Sequence, residues 1–309
     1  MPDIVISEFM DQGAVDSLAA DFDVLYDPQL VDRHDDLLEA VTSARAVVVR
    51  NRTQVRGELL QAATALRVVG RLGVGLDNID LDACKQRDVA VCPATGANDA
   101  AVAEYVIATA MILMRDAYAA GAEVIAGVWP RQRCMGREVG GKVLGLIGFG
   151  GIARETAQRA RALGMHVIAH DPFVARTDPA WKDVERSELD KLMANADVVS
   201  LHLPLTDGTR GLLDARMLAG MKKGAVLVNT ARGGIVDEDA VVELLRAGHL
   251  AGAAIDVFGT EPVTAAAGAC FAGVSNLVLT PHIAGVTQES NVRVSAVTAE
   301  NVRKVLSKI

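Results

Sequence analysis

Short runs of Val, Ile, Leu and Ala recur along almost the whole chain, and most are followed by a stretch with helical spacing. The runs are apolar throughout rather than alternating, which fits strands buried on both faces of a sheet. Ile4–Ile6, Ala46–Val49, Val68–Val69 and Val89–Val91 form a first series. Between them, Asp32–Ala40 and Asp80–Arg87 have helical periodicity and acidic starts. A second series comprises Val143–Ile147, His166–Ala169, Val198–Leu201, Val226–Val228, Ala253–Val257 and Leu277–Leu279. Strands alternating with helices imply βαβ units, hence an α/β fold with doubly wound parallel sheets.

Two series imply two domains, and 309 residues are enough to give each its own core. A long helical pattern, Asp99–Met114, separates them, with Val102, Val106, Ala110 and Leu113 on one side. A last helix is expected over Thr287–Leu306, with Val292, Ala296, Ala299 and Val302 on one side. The simplest arrangement returns that helix to the first domain. The first domain is then discontinuous, 1–97 and 284–309, with residues 98–283 inserted.

Composition narrows the function classes. A formal charge of −8 argues against nucleic acid or an anionic membrane as partner, since either favours a basic face. The longest apolar runs, such as Val106–Met114, fall far short of the ~18 residues a membrane span needs. Met1 to Met10 carries Asp3 and Glu8 with no basic region before an apolar stretch, unlike a secretory signal. Cys84, Cys92, Cys134 and Cys270 have no metal-ligand spacing and fit reduced structural thiols. A cytoplasmic protein without a metal is expected.

The run Val143-Leu-Gly-Leu-Ile-Gly148-Phe-Gly150-Gly151-Ile152-Ala153 joins an expected strand to an expected helix. Gly148 permits the tight turn, Gly150 lets backbone approach a pyrophosphate, and Ala153 lets helix and strand pack closely. Free N–H groups and the dipole at the helix start suit phosphates. Asp171 lies 23 residues beyond Gly148, at the end of the next strand. There a carboxylate accepts the adenosine ribose hydroxyls and repels a 2′-phosphate, favouring NAD over NADP. Arg176 nearby is the one feature pointing the other way.

Three further segments end strands with polar residues: Asn229-Thr-Ala-Arg232-Gly-Gly234, Asp256-Val-Phe-Gly-Thr-Glu261-Pro, and Thr280-Pro-His282-Ile-Ala-Gly285. Ligands of open α/β sheets bind outside the strands' carboxyl ends. Taken singly, Arg232 reads as a surface cation, Glu261 as a loop acid and His282 as a turn histidine. Beside a dinucleotide site they make an acid–base and anion-binding set.

With these motifs the chain resembles the NAD-dependent D-2-hydroxyacid dehydrogenases, most closely the D-3-phosphoglycerate dehydrogenase branch. The resemblance runs through Gly70–Asp80, Trp129–Lys142, the glycine loop, His202–Thr206, Asn229–Gly234 and Pro281–Gly285. It implies a flavodoxin-like substrate domain, an inserted Rossmann domain, a cleft between them and a homodimer. It implies Arg232, Glu261 and His282 as catalytic residues, and a backbone carboxylate site at Gly73, Val74 and Gly75. Cofactor contacts are implied at Gly148, Gly150, Gly151, Ile152 and Asp171. They continue at Leu203, Pro204, Thr209, Thr230, Ala231, Arg232, Asp256, His282 and Gly285. The regulatory domains often found in the phosphoglycerate branch are not expected here.

The implied mechanism has His282 taking the 2-hydroxyl proton as hydride leaves C2, Glu261 stabilising the imidazolium, and Arg232 gripping the carboxylate. Arg50, Asn51 and Arg52 follow one strand, and Arg71 follows the next. In an extended segment Arg50 and Arg52 share a face. The plain reading is a solvated basic edge; the functional one is a site for a second anion on the substrate. Arg131 and Arg133 are further candidates, from the same chain or a neighbouring subunit. Phosphoglycerate would fit such a site. A C3 sulfonate would also fit, because Ile6–Asp11 and Arg50–Thr53 are similar to (S)-sulfolactate dehydrogenases, so oxidation of (S)-3-sulfolactate to 3-sulfopyruvate is expected. Formate dehydrogenases share the fold but lack a glutamate at the site of Glu261. An NAD-sensing corepressor, binding peptides on the same fold, is the alternative outside enzymes.

Overall fold

The computed structural model describes residues 2–115 and 117–308; Met1, Asp116 and Ile309 lie outside the described residues. The chain divides into two units, Met1–Asn98 with Val286–Ile309, and Asp99–Gly285.

The first unit holds five strands: β1 (Ile4–Ile6), β2 (Val24–Tyr26), β3 (Ala46–Val49), β4 (Val68–Arg71) and β5 (Ala90–Pro93). All pair in parallel in the order β2-β1-β3-β4-β5. Successive side chains point to opposite faces, so Val47, Val49 and Val69 pack under Leu37, Leu59 and Leu60, while Ile4, Ile6 and Val48 pack under Val294, Ala299 and Val302. The helix Gln288–Leu306 lies so close to β4 that a Cβ on Gly70 would meet Val302 at 2.8 Å. That helix opens with a capping box: Thr287 Oγ1 accepts from Ser290 N at 3.0 Å, and Ser290 Oγ from Thr287 N at 2.8 Å. Strand β2 was not expected. It is three residues long at the sheet edge and only partly covered, so it carries little apolar signal.

The second unit holds β6 (Val143–Ile147), β7 (His166–His170), β8 (Glu185–Arg186), β9 (Val198–Leu201), β10 (Val226–Asn229), β11 (Gly252–Ile255) and β12 (Leu277–Leu279). These too are all parallel, in the order β12-β11-β10-β9-β6-β7-β8. The helix Asp99–Arg115 belongs to this unit and packs on β10, β11 and the helix Gly151–Ala162. Leu144 and Leu146 meet Val106, Ala110, Ala153 and Ala157 on one face. Ile147, Val199 and Leu201 meet Leu192, Leu218 and Val241 on the other. Two-residue β8, with both residues exposed, escaped expectation for the same reason as β2.

Each strand order reverses once, between β1 and β3 in the first sheet and between β6 and β9 in the second. A crevice forms at such a reversal because neighbouring connections leave on opposite faces. Among the described residues, no helix is long and apolar enough to cross a membrane. All four cysteines are free thiols, and burial pushes those of Cys84 and Cys92 up.

Candidate functional site

At the β6/β9 reversal the chain turns at Gly148, whose φ of 88° lies in the left-handed region. A side chain there would strike the carbonyl of His202, which leaves β9. Gly150 is extended and faces open space, immediately before the helix Gly151–Ala162. Its N-terminus therefore presents free N–H groups beside a backbone that a ligand can approach. Burial pushes the neighbouring His202 imidazole down to about 3, and its Nε2 lies 3.0 Å from Ser200 Oγ. This histidine is half-buried, and its lowered pKa keeps the ring neutral near pH 7.

Asp171 sits at the end of β7 with both oxygens engaged: Oδ2 accepts from Phe149 N at 2.8 Å, and Oδ1 from Phe173 N at 2.8 Å and Val174 N at 3.1 Å. The carboxylate is thereby fixed against the glycine loop. It also lines a cavity of about 450 Å³ with His170, Pro172, Arg176, Arg186, Ser187 and Glu188. Sequence reasoning missed Asp99, whose carboxylate presses on Gly151 so closely that a Cβ could not be placed there. Burial first, and the charge of Glu155 second, push the Asp99 carboxyl above the usual range.

The trio residues follow β10, β11 and β12. Arg232 donates from Nη1 to Ala231 O at 2.6 Å, in a turn fixed by Asn229, which accepts from Ala231 N at 3.1 Å and donates to Arg232 O at 3.2 Å. Gly233 lies directly on the Phe258 carbonyl, so only glycine lets the Arg232 and Glu261 loops meet. Glu261 Oε1 accepts from Phe258 N at 2.9 Å, and Oε2 pairs with His282 Nδ1 at 2.7 Å. Burial alone would raise the Glu261 carboxyl. The bonds from His282 and Phe258 N, with the charges of His282 and Arg232, hold it below the usual value instead. Because Nδ1 is engaged by a carboxylate, Nε2 is the ring nitrogen of His282 left to meet a ligand. The pair is partly open, with the His282 side chain 40% exposed.

Asp256 is 1% exposed and accepts from Ile283 N at 2.8 Å, Ala284 N at 2.9 Å and Thr280 Oγ1 at 2.6 Å. Three of its roughly four acceptor positions are therefore taken by the chain itself. Thr209 Oγ1 donates to Pro204 O at 2.7 Å and accepts from Thr206 N at 2.8 Å, which shapes the loop carrying Leu203 and Pro204. Thr230 Oγ1 is buried and has no hydrogen-bond partner among the described residues. A buried hydroxyl without a partner, at the carboxyl end of β10 in the sheet whose β6 runs into the glycine turn, fits a polar cofactor.

In the first unit, Glu8 follows β1 and is 4% exposed. Its carboxylate gathers the loop after β3, accepting from Arg50 N at 2.8 Å, Thr53 N at 3.0 Å and Arg52 N at 3.2 Å. Asn78 closes the loop from the other side, donating to Thr53 O at 2.7 Å and Arg50 O at 3.2 Å. The Arg50 guanidinium donates to Asn291 Oδ1 at 2.5 Å and lies 5.8 Å from the Phe9 ring centre. Burial pulls it below the usual arginine value, against the charge of Glu8. Arg52 instead turns to an ion pair with Asp32, and Asn51 is exposed. The Arg71 guanidinium folds over Gly73 and donates from Nη1 to Leu72 O at 2.6 Å. Gly73 N donates to Arg71 O at 2.8 Å, so of the three residues expected to form a backbone carboxylate site, Gly73 has its N–H engaged by the chain itself. Arg133 is paired with Glu123.

The geometry agrees with known proteins. The family model for the NAD-binding domain of D-isomer specific 2-hydroxyacid dehydrogenases matches residues 107–284. The chain is 56% identical over 307 residues to an (S)-sulfolactate dehydrogenase of Chromohalobacter salexigens, covering 99% of both. It is 40% identical over 309 residues to a D-3-phosphoglycerate dehydrogenase of Mycobacterium leprae, covering 99% of this chain and 57% of that one. The TT0316 protein of Thermus thermophilus superposes with a TM-score of 0.87 at 32% identity, covering 99% of this chain and 97% of that one.

Proposed function

The chain belongs to the D-isomer specific 2-hydroxyacid dehydrogenase family and is an NAD-dependent enzyme; from that premise we propose that it oxidises (S)-3-sulfolactate to 3-sulfopyruvate. The observation that carries the chemistry is the 2.7 Å contact between His282 Nδ1 and Glu261 Oε2. Bound NAD supplies the hydride acceptor. The residues to hold it are Gly148, Gly150, Gly151 and Ile152 at the diphosphate, and Asp171 at the adenosine ribose, beside the cavity it lines. Leu203, Pro204, Thr209, Thr230, Ala231, Asp256 and Gly285 complete the binding surface, with the buried Thr230 hydroxyl gaining a partner.

His282 Nε2 removes the proton of the substrate 2-hydroxyl, and returns one to the carbonyl oxygen in the reverse reaction. Glu261 holds the ring by Nδ1 and stabilises the imidazolium formed in oxidation. Arg232, with a fork of donors, takes the substrate carboxylate.

The second anion is assigned to Arg50, from which Arg52 turns away to its ion pair with Asp32. Support comes from the way Glu8, Asn291 and Phe9 fix Arg50, and from the 56% identity with a sulfolactate dehydrogenase. A sulfonate offers three acceptor oxygens to such a guanidinium. Phosphoglycerate is the second reading, favoured by the 40% identity to the phosphoglycerate enzyme. Following the absorbance of NADH with sulfolactate, phosphoglycerate, glycerate and lactate separates them. The highest kcat/KM is expected for sulfolactate; a preference for lactate would overturn the second anion site, and no turnover with any would favour a binding protein.

We also place the enzyme in the cytoplasm as a homodimer. Free thiols suit a reducing compartment. The stretch from Tyr118 to Met135 leaves Ile125 90%, Met135 76% and Trp129 74% exposed, an apolar surface that suits a second copy. Sedimentation is expected to give twice the 32.5 kDa chain mass.

A further inference from the structure

His282 adopts φ 52°, a conformation a side-chain-bearing residue keeps only where its surroundings impose it. Its own N–H donates to Asp256 O at 2.8 Å and Thr280 O at 3.0 Å. The next two N–H groups, of Ile283 and Ala284, end on opposite oxygens of the Asp256 carboxylate. The turn carrying the imidazole is therefore folded around one buried carboxylate.

That carboxylate has a further partner, which leads back to a different element. Thr280 Oγ1 donates its single hydrogen to Asp256 Oδ1 at 2.6 Å. The Tyr105 hydroxyl lies 2.6 Å from the same Thr280 oxygen. Since the threonine hydrogen is spent on Asp256, the tyrosine must be the donor in that contact. The order is thus Tyr105 to Thr280 to Asp256 to the backbone that sets His282. Tyr105 stands on the helix Asp99–Arg115, among Ala, Val and Ile, where an apolar side chain would satisfy the packing alone. Its hydroxyl needs a partner because it is substantially buried; burial first, and the charge of Asp256 besides, push it up, against the Thr280 bond.

We propose that Tyr105 is a positioning residue for the reaction, orienting the Thr280 hydroxyl onto Asp256 and so fixing the turn that aims His282. The relay has no contact with substrate in this assignment. It acts on turnover through the imidazole and leaves binding of the 2-oxoacid to the arginines. The inference rests on His282 being the acid–base residue proposed above.

The test uses the full chain with NADH and whichever 2-oxoacid the unaltered enzyme reduces fastest. Tyr105→Phe keeps the ring and is expected to lower kcat about tenfold with KM changed less than about twofold. Thr280→Val is expected to do the same, and the double variant to be no slower than the worse single, because both cut one relay. Thr280→Ser retains the hydroxyl and is expected to restore most of kcat. Parental kcat in Tyr105→Phe, losses that multiply in the double variant, or a Thr280→Ser as slow as Thr280→Val would each overturn the proposal. His282→Ala runs alongside. If it turned over normally the proposed acid–base role would fall; if it were inactive while Tyr105→Phe was normal, only the relay would fall.

Discussion

The two parallel sheets reverse strand order in the same way, yet treat the resulting crevice differently. At the β6/β9 reversal the chain places glycines, and the crevice is lined by backbone and a helix N-terminus. At the β1/β3 reversal it places Glu8, whose carboxylate fills the position where a ligand would otherwise meet free N–H groups. One crevice is built to receive an anion; the other already contains one, covalently attached. Topology offers a site in both cases, and the side chain at the end of the first strand decides whether it stays available. In the first unit we assign the interaction with a ligand instead to Arg50, which the internal carboxylate and Asn291 hold in place.

Breaking the site of the second unit should have the largest effect. His282→Ala is expected to lower kcat by about 10²–10⁴-fold while NADH still binds, read by stopped-flow turnover and by cofactor fluorescence. Gly148→Val sets a β-branched side chain at φ 88° against the His202 carbonyl. It should strain the turn by about 1–3 kcal/mol and abolish measurable NADH binding in a titration. If Gly148→Val bound NADH normally, the cofactor could not be approaching that turn.

Smaller effects are expected at the filled crevice. Glu8→Gln removes the negative charge to which three N–H groups donate and should lower stability by about 1–3 kcal/mol in a urea melt, with NADH affinity unchanged. Equal melting curves would mean that the carboxylate does not hold the Arg50 loop.

The acid behaviour of the Glu261–His282 pair sharpens the picture further. Glu261 is held below its ordinary value of 4.5, so its favourable interaction is fully present above 4.5 and is lost as pH falls through the lower folded value. Any acid limb in turnover that depends on Glu261 should therefore lie below 4.5 and vanish in Glu261→Gln. An acid limb retained unchanged in that variant would assign it to another group.

Much of this was legible in the sequence because it is written locally. The Gly148–Ala153 turn needs small residues at fixed positions, and Asp171 has to sit at the end of the next strand. The all-apolar runs marked the buried strands in both units, whereas the exposed edges β2 and β8 left no such mark. Long-range pairings were not legible. Glu8 reads as one more surface acid until β1 is placed beside β3, and Tyr105 as one more core residue until its helix is packed over β10 and β11 and its hydroxyl meets Thr280. Arg50 and Arg52 read as equivalent, because strand alternation puts them on one face. The structure separates them: Asn291 claims one and Asp32 the other, across 241 and 20 residues of chain.

That separation leads to the most direct measurement. The ratio of kcat/KM for sulfolactate to that for lactate should be determined in the parent enzyme and in Arg50→Met. Loss of a charge-assisted bond to the second anion should reduce sulfolactate kcat/KM about ten- to a hundredfold. Lactate, which has no second anion, should be used as before, so the ratio collapses. An unchanged ratio, whether both activities persist or both fall together, would contradict the assignment of Arg50 to the substrate's second anion.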